Sequence, residues 1–170
     1  MLLALTVGLT VAGCGVTEKV QGGVNALKYA ATMTRYLGEY ATAVSAAQED
    51  PAVQKAPVTP AAAPAYTRAA QSAAESAQGI TALQPPDSVK RPHHRLVIAL
   101  RNSSKALRQM ASAAQHRNQQ QFGRASQRLA TAQQQVEQAV GDIAAGAKVD
   151  LPLPDLPDSA TGGGSATTSP

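Results

Sequence analysis

The first clear periodicity of apolar side chains lies in the N-terminal third of the chain. Three tyrosines and a methionine follow one another at spacings of four, three and four residues: Tyr29, Met33, Tyr36 and Tyr40. This spacing places them on one side of an α-helix. The pattern predicts one long helix from Thr17 to about Glu49, whose tyrosine stripe faces the core. The alternative is an aromatic platform on which a glycan or another ring stacks.

Prolines separate this helix from the next one. Three of them lie between residues 50 and 63, and because proline lacks a backbone donor and opposes a helix interior, residues 50–63 are predicted to be a linker. A second helix should open at Pro64, a favoured first-turn residue, and should stop at Gln84-Pro85-Pro86. Its apolar face carries Tyr66, Ala70, Ala73, Ala77 and Ile80.

Two further helices are predicted in the C-terminal half. The third begins between Asp87 and Pro92, and a late start would place Pro92 harmlessly in its first turn. Its apolar face carries Leu96, Leu100, Leu107, Met110 and Ala114. After a turn at Arg117-Asn118, the fourth helix runs to about Ala145, with Gly146 as its end cap. Its stripe carries Phe122, Ala125, Leu129, Ala132, Val136, Ala139 and Ile143.

Composition and order of these elements predict the fold class. Aromatic residues make up 3% of the chain, tryptophan is absent, and alanine dominates the apolar positions. Alanine favours helix but buries little area. We therefore expect an all-α protein, an antiparallel bundle of about four helices with a thin core. Residues 148–170, rich in proline, glycine and serine, lack apolar periodicity and are expected to be a disordered tail.

The N-terminal residues carry a targeting pattern. Twelve uncharged residues from Leu2 to Gly13 are too few to span a bilayer, which needs about 20, but they have the length of a signal-peptide core. They end in Val11-Ala12-Gly13-Cys14, which resembles the lipobox of bacterial lipoproteins. No lysine or arginine precedes the apolar run, a departure indicating that the true start lies upstream of Met1 or that the sequence is truncated there.

The resemblance implies a domain plan and a location. Residues 1–13 would be a cleaved lipoprotein signal peptide, and residues 14–147 would form the bundle domain. Cys14 would carry a diacylglycerol thioether, usually with an acylated amino terminus, and several acyl chains anchor stably. The protein would then be held to the cell membrane or the outer membrane, facing the extracytoplasmic side of the envelope. Since Cys14 is the only cysteine, no internal disulfide supports the fold.

Few residues indicate chemistry. His93 and His94 are adjacent, so on a helix they point about 100° apart and do not form the i, i+4 pair that chelates a metal. A haem site would need Met33 or Met110 to face His93, and the alternative is that both methionines fill the core. The serines lack a His or acidic partner in a recognisable motif, and the carboxylates are dispersed. We therefore expect no enzymatic activity, no cofactor and no metal.

Charge is the most asymmetric property of the chain. Between Gln84 and Arg128 there are nine basic residues and one acidic residue, whereas the chain as a whole has 15 basic and 11 acidic residues. Five of the nine fall within one arc of roughly 140° on the third helix, opposite its leucines: Arg91, Arg95, Arg101, Lys105 and Arg108. The arc is either an ordinary solvated face or a candidate site for an anionic surface.

These features favour a non-enzymatic lipoprotein whose bundle serves binding, assembly or envelope spacing through the basic arc. Its partners would be the membrane, through Cys14, and anionic lipid, wall polymer or an acidic envelope protein. Nucleic acid is not expected outside the cytoplasm. The alternative is a small-ligand carrier or sensor with a pocket between the helices. A cavity lined by the tyrosines would favour the carrier, and a filled core would favour the bundle as a binding protein.

Overall fold

A computed structural model describes the backbone of residues 14–147 and the side chains from Leu27 to Ala147. The predicted signal peptide, residues 1–13, and the predicted disordered tail, residues 148–170, lie outside the described residues, and so does the side chain of Cys14. The described residues form five α-helices and one 3-10 helix: α1 (Cys14–Glu49), α2 (Pro51–Lys55), α3 (Ala63–Thr81), the 3-10 helix Asp87–Val89, α4 (Lys90–Gln115) and α5 (Gln119–Ala147).

The four long helices, α1, α3, α4 and α5, form an antiparallel bundle, which confirms the predicted all-α fold class. Consecutive long helices pack side by side and run in opposite directions. Hydroxyl groups mark the close approach of their backbones. The Ser76 hydroxyl of α3 donates to the Tyr36 carbonyl oxygen of α1 at 2.9 Å, and the Ser104 hydroxyl of α4 donates to the Ala70 carbonyl oxygen of α3 at 2.7 Å. A serine side chain is short, so a hydroxyl that reaches the carbonyl oxygen of the next helix requires the two helices to lie close together.

The predicted apolar stripes lie in the core. Of the residues that define them, all but Tyr36 and Phe122 are buried. Phe122 is half-buried and packs edge-on against Tyr66, with ring centroids 5.5 Å apart. Tyr36 is half-buried between α1 and α3, with its ring over Gly79. Tyr29, Met33 and Tyr40 of the stripe are thus part of the hydrophobic core, as its core interpretation expects, and Tyr66 of α3 joins them.

The connection over residues 50–63 is more ordered than the predicted linker. Pro51 opens α2, since proline tolerates the first turn of a helix, and the Asp50 carboxylate accepts a hydrogen bond from the Ala52 amide at 3.0 Å. Asp50 also pairs with Arg68 of α3 at 3.1 Å. The connection ends in Ala62 and Ala63, which are buried.

The ends of the last two helices were predicted with one error. Pro92 lies in the first turn of α4, as the late start requires. The connection between α4 and α5 falls at Arg117-Asn118, as predicted. There Arg117 has φ 53°, and the Asn118 side-chain oxygen accepts a hydrogen bond from the Gln121 amide. The prediction that Gly146 caps the fourth helix is wrong, because Gly146 lies within α5 and does not have a positive φ. A β-carbon there would lie 2.9 Å from Val89 Cγ1, so glycine allows α5 to approach the 3-10 helix.

Candidate functional site

The five basic residues predicted as a candidate site are all exposed on α4, but they separate into two groups. Arg91 and Arg95 lie at the start of α4, where they surround a shallow surface depression together with Lys90 and His94. The other three residues lie half-way along the bundle. The structure therefore places the residues of the arc at two levels of α4.

Acidic side chains partly neutralise the group at the start of α4. Arg95 pairs with Asp142 of α5 at 2.9 Å, and Lys90 pairs with Asp87 at 2.6 Å. The Lys90 ammonium lowers the pKa of Asp87, first through the hydrogen bond and then through its charge. These exposed pairs add little to stability, but they reduce the positive potential at this end.

The second group lines a groove between α3 and α4. Arg101, Lys105 and Arg108 contribute one wall, with Ser104. The opposite wall is α3, where Gln78 and Thr81 are the polar residues. The Arg101 guanidinium donates to the Thr81 hydroxyl oxygen at 3.4 Å.

A second groove, of about 590 Å³, lies on the other side of Lys105 between α4 and α5. Lys105 belongs to both grooves, and α5 adds Arg124 and Arg128. The Arg128 guanidinium donates to the Gln109 side-chain oxygen at 2.8 Å. The remaining lining is polar or small: Asn102, Ala106, Gln127, Thr131, Ala132 and Gln135.

The two grooves form one positively charged surface across α4. We use the name basic face for the following five residues: Arg101, Lys105, Arg108, Arg124 and Arg128. None of the residues that line the two grooves, all of which lie in the described part of the chain, is an aspartate or a glutamate. The ion pairs among the described side chains involve Arg35, Arg68, Lys90 and Arg95, so none of them neutralises a member of the basic face.

The histidine with a buried ring is His93. Its Nδ1 lies 2.9 Å from the Tyr29 hydroxyl of α1, in a hydrogen bond that the tyrosine donates when Nδ1 is unprotonated. Burial, and then the charge of His94, lowers the pKa of His93, while burial raises the pKa of Tyr29 to about 12. Both shifts favour the neutral forms. Met33 and Met110, considered above as haem ligands, lie in the hydrophobic core.

A second buried polar group lies at the centre of the bundle. Tyr40 of α1 reaches Ser103 of α4 and Gln133 of α5. Burial raises the pKa of the Tyr40 hydroxyl, and hydrogen bonding by the other two side chains opposes that rise. The Ser103 hydroxyl also donates to the Ala99 carbonyl oxygen at 3.1 Å. The Tyr40 hydroxyl is thus a buried polar group where three helices meet.

The predicted site did not include Arg124, Arg128 or the amide side chains of the α4–α5 groove. Arg124 and Arg128 are four residues apart and therefore share a side of their helix, which the sequence could have revealed. Their position beside Lys105 depends on the rotation of α5 against α4. Only packing determines that rotation.

Comparisons with protein-family models, with curated proteins and with solved structures found no match to this chain. The site must therefore be interpreted from its own chemistry. Among the described residues, no cluster of three or more His, Cys, Asp or Glu side chains is placed to hold a metal ion. None of the helices in residues 14–147 combines the length and the hydrophobicity needed to cross a bilayer.

Proposed function

We propose that the protein is a lipid-anchored, non-enzymatic lipoprotein of the bacterial envelope whose bundle binds an anionic partner through the basic face. The observation that carries the proposal is the collection of five exposed cations on α4 and α5 without an acidic residue in either groove. A solvated helix surface that only keeps a protein soluble usually mixes both signs. Here the acidic partners are found at other cations, including Arg95.

The anchor part of the proposal depends on Cys14. Helix α1 begins at Cys14, and Tyr29 is the first residue along it whose described side chain is buried. At about 1.5 Å per residue, about 22 Å of helix separates Cys14 from the level of Tyr29. A lipid on Cys14 would thus connect to the bundle through the first turns of α1, and the start of α4 would face the membrane.

The packed tyrosines support a binding surface over the alternative of a carrier with an internal pocket. Tyr29, Tyr40 and Tyr66 pack into the core with alanine and leucine side chains. The two grooves of the basic face are open at the surface instead. A partner would bind there without entering the bundle.

The experiment is a binding assay on the full chain in neutral detergent micelles, with immobilised alginate as the polyanion. The native protein should be retained at about 25 mM salt and released at about 0.5 M, because the Debye length falls from roughly 20 Å to about 4 Å. The variant Lys105→Glu/Arg108→Glu should lose retention at the low salt concentration, since it reverses two charges at the centre of the basic face.

The matched control is Lys28→Glu/Lys55→Glu, which changes the net charge equally at exposed residues outside the basic face. This variant should be retained nearly as well as the native protein. If the two variants were retained equally, the basic face would be an ordinary solvated surface and the proposal would be wrong. Circular dichroism of both variants checks that the bundle is intact.

A further inference from the structure

We infer that the α4–α5 groove binds an extended acidic glycan, a chain of hydroxyl-rich units bearing carboxylate or phosphate groups. The inference rests on the proposed function and names the class of anion that the basic face recognises. It depends on three features of this groove: uncompensated cations, a large share of amide side chains, and a lining that extends over several turns of α5.

The charge of the groove is positioned but not neutralised. Arg128 is held at 2.8 Å by Gln109, whose side-chain amide carries no charge. The guanidinium is therefore oriented while its positive charge remains available to a ligand. Lys105 and Arg124 line the same groove, so an anion that enters meets three cations and no carboxylate.

The amides distinguish this groove from a simple patch of charge. Asn102, Gln127 and Gln135 line it together with Gln109 and Thr131. Each amide offers a carbonyl acceptor and an NH₂ donor, and this combination matches neighbouring hydroxyl groups, which both donate and accept. A ligand made only of anionic groups would use the cations and leave the exposed amides hydrogen-bonded to water.

The shape of the groove favours a linear chain over a globular protein. On α5 the lining extends from Arg124 to Gln135, about 16 Å along the helix axis. Interfaces with folded proteins usually have a core rich in aromatic side chains, whereas the lining of this groove contains no aromatic residue. Single-stranded nucleic acid and glycans that bind by stacking on aromatic rings are disfavoured for the same reason. The lining therefore favours a chain held through its charges and hydroxyl groups.

The position of the groove argues against lipid head groups as the ligand. It lies along the side of the bundle, between α4 and α5, and the residues that surround the depression at the start of α4 are different ones: Lys90, Arg91, His94 and Arg95. With the bundle held through Cys14, a membrane would meet the start of α4 before it met the side of the bundle. A polymer in the surrounding envelope would reach the side directly.

The test measures binding of the full chain, in neutral detergent micelles, to four probes at low salt. They are fluorescent oligogalacturonate, polyphosphate of equal charge, an uncharged dextran oligomer, and beads coupled to glycerophosphoglycerol, the head group of phosphatidylglycerol. We expect oligogalacturonate to bind most tightly, because it alone offers both carboxylates and sugar hydroxyls in an extended chain. Dextran should bind at least about tenfold more weakly, since it lacks the charge that the cations select.

Two pairs of matched variants locate the site. Arg124→Gln/Arg128→Gln should weaken oligogalacturonate binding about tenfold or more, whereas Arg101→Gln/Arg108→Gln, on the α3 side of the basic face, should have a smaller effect. Gln127→Ala/Gln135→Ala should weaken the binding of oligogalacturonate about fivefold, as expected for two lost hydrogen bonds. The same variant should leave the binding of polyphosphate unchanged. Gln120→Ala/Gln134→Ala, at exposed glutamines outside the groove lining, is the control for the amide variant.

The outcomes separate this inference from the proposed function. Equal affinity for polyphosphate and oligogalacturonate, with no effect of the amide variant, would overturn the inference of a glycan ligand. The proposal that the basic face binds an anionic partner would still stand. Binding to the head-group beads without binding to either soluble polyanion would overturn the glycan inference in favour of lipid. If no anionic probe bound and the charge variants changed nothing, both proposals would be wrong.

Discussion

Core leucines and exposed apolar residues lie next to one another on α4, and their substitution should have different consequences. The side chain of Leu100 is 0% exposed, whereas Ile98, two residues earlier, is 42% exposed. Leu100→Ala should lower the free energy of unfolding by about 2–5 kcal/mol, because it removes buried methyl groups and leaves a cavity. The measurement is urea unfolding followed by circular dichroism.

Ile98→Ala is the control on the same helix, and it should cost less than about 1 kcal/mol. In a core filled mainly by alanine, the loss at Leu100 is a large fraction of the total stability of a domain. Equal urea midpoints for the two variants would contradict the assignment of Leu100 to the core.

The buried His93–Tyr29 hydrogen bond should make stability depend on pH. Burial and the charge of His94 lower the pKa of His93, so the native state binds a proton less readily than the unfolded chain does. The stabilising contribution is therefore complete above about pH 6.5, the ordinary histidine value, and it is lost as the pH falls below that value. Native protein should have a lower urea midpoint at pH 5.5 than at pH 7.5.

His93→Gln should reduce this difference between the two pH values, whatever its effect on absolute stability. The comparison of one variant with itself removes the packing change that the substitution causes. If the urea midpoint of His93→Gln fell between pH 7.5 and pH 5.5 as much as that of the native protein, the pH dependence would come from other groups.

At the scale of the elements, a glycine determines how closely α1 and α3 approach. The ring of Tyr36 lies where a β-carbon on Gly79 would be, and the Arg35 guanidinium covers that ring at 4.4 Å from its centroid. Alanine normally stabilises a helix interior by about 1 kcal/mol relative to glycine. At this position the contact should reverse the gain, so Gly79→Ala should lower the melting temperature.

Gly141→Ala in α5 is the matched control, since its β-carbon would meet nothing within 4 Å. This variant should raise the melting temperature through helix propensity alone. Combining Gly79→Ala with Tyr36→Ala should restore the gain relative to Tyr36→Ala. A stabilising Gly79→Ala single variant would mean that the Tyr36 ring leaves its position at little cost.

Packing also explains why the long helices were easier to predict than their boundaries. The stripes of α3, α4 and α5 repeat over several turns, and such periodicity is a strong signal. The prediction at Gly146 failed because a glycine near a helix end suits a cap and also suits a close contact. The contact with Val89 comes from another element, and local sequence does not contain it.

At the scale of the whole molecule, the proposed anchor should determine where the protein is found. Cys14→Ser removes the thiol to which a diacylglycerol would be attached. The native protein should enter the detergent phase when a membrane extract is warmed through phase separation. Each acyl-chain methylene that leaves water for the detergent contributes about 0.8 kcal/mol to the free energy of transfer. The serine variant should instead appear in the aqueous phase or fail to be processed.

Mass spectrometry of the native protein provides an independent measurement, because acylation adds mass to the N-terminal peptide. Conversion of Thr17 to Ser, three residues from Cys14, should change neither the partitioning nor the mass of the lipid. A Cys14→Ser protein that still entered the detergent phase with an unshifted mass would contradict the lipobox.

The sequence by itself determined the all-α class and the residues that face the core, because helical periodicity is a local property of the chain. It also revealed the excess of positive charge between Gln84 and Arg128. Which cations act together was decided by tertiary structure. Asp142 on α5 neutralises Arg95, while Arg124 and Arg128 of the same helix join Lys105. Both results depend on the rotation and the register of α5 against α4, and packing between residues distant in sequence determines these.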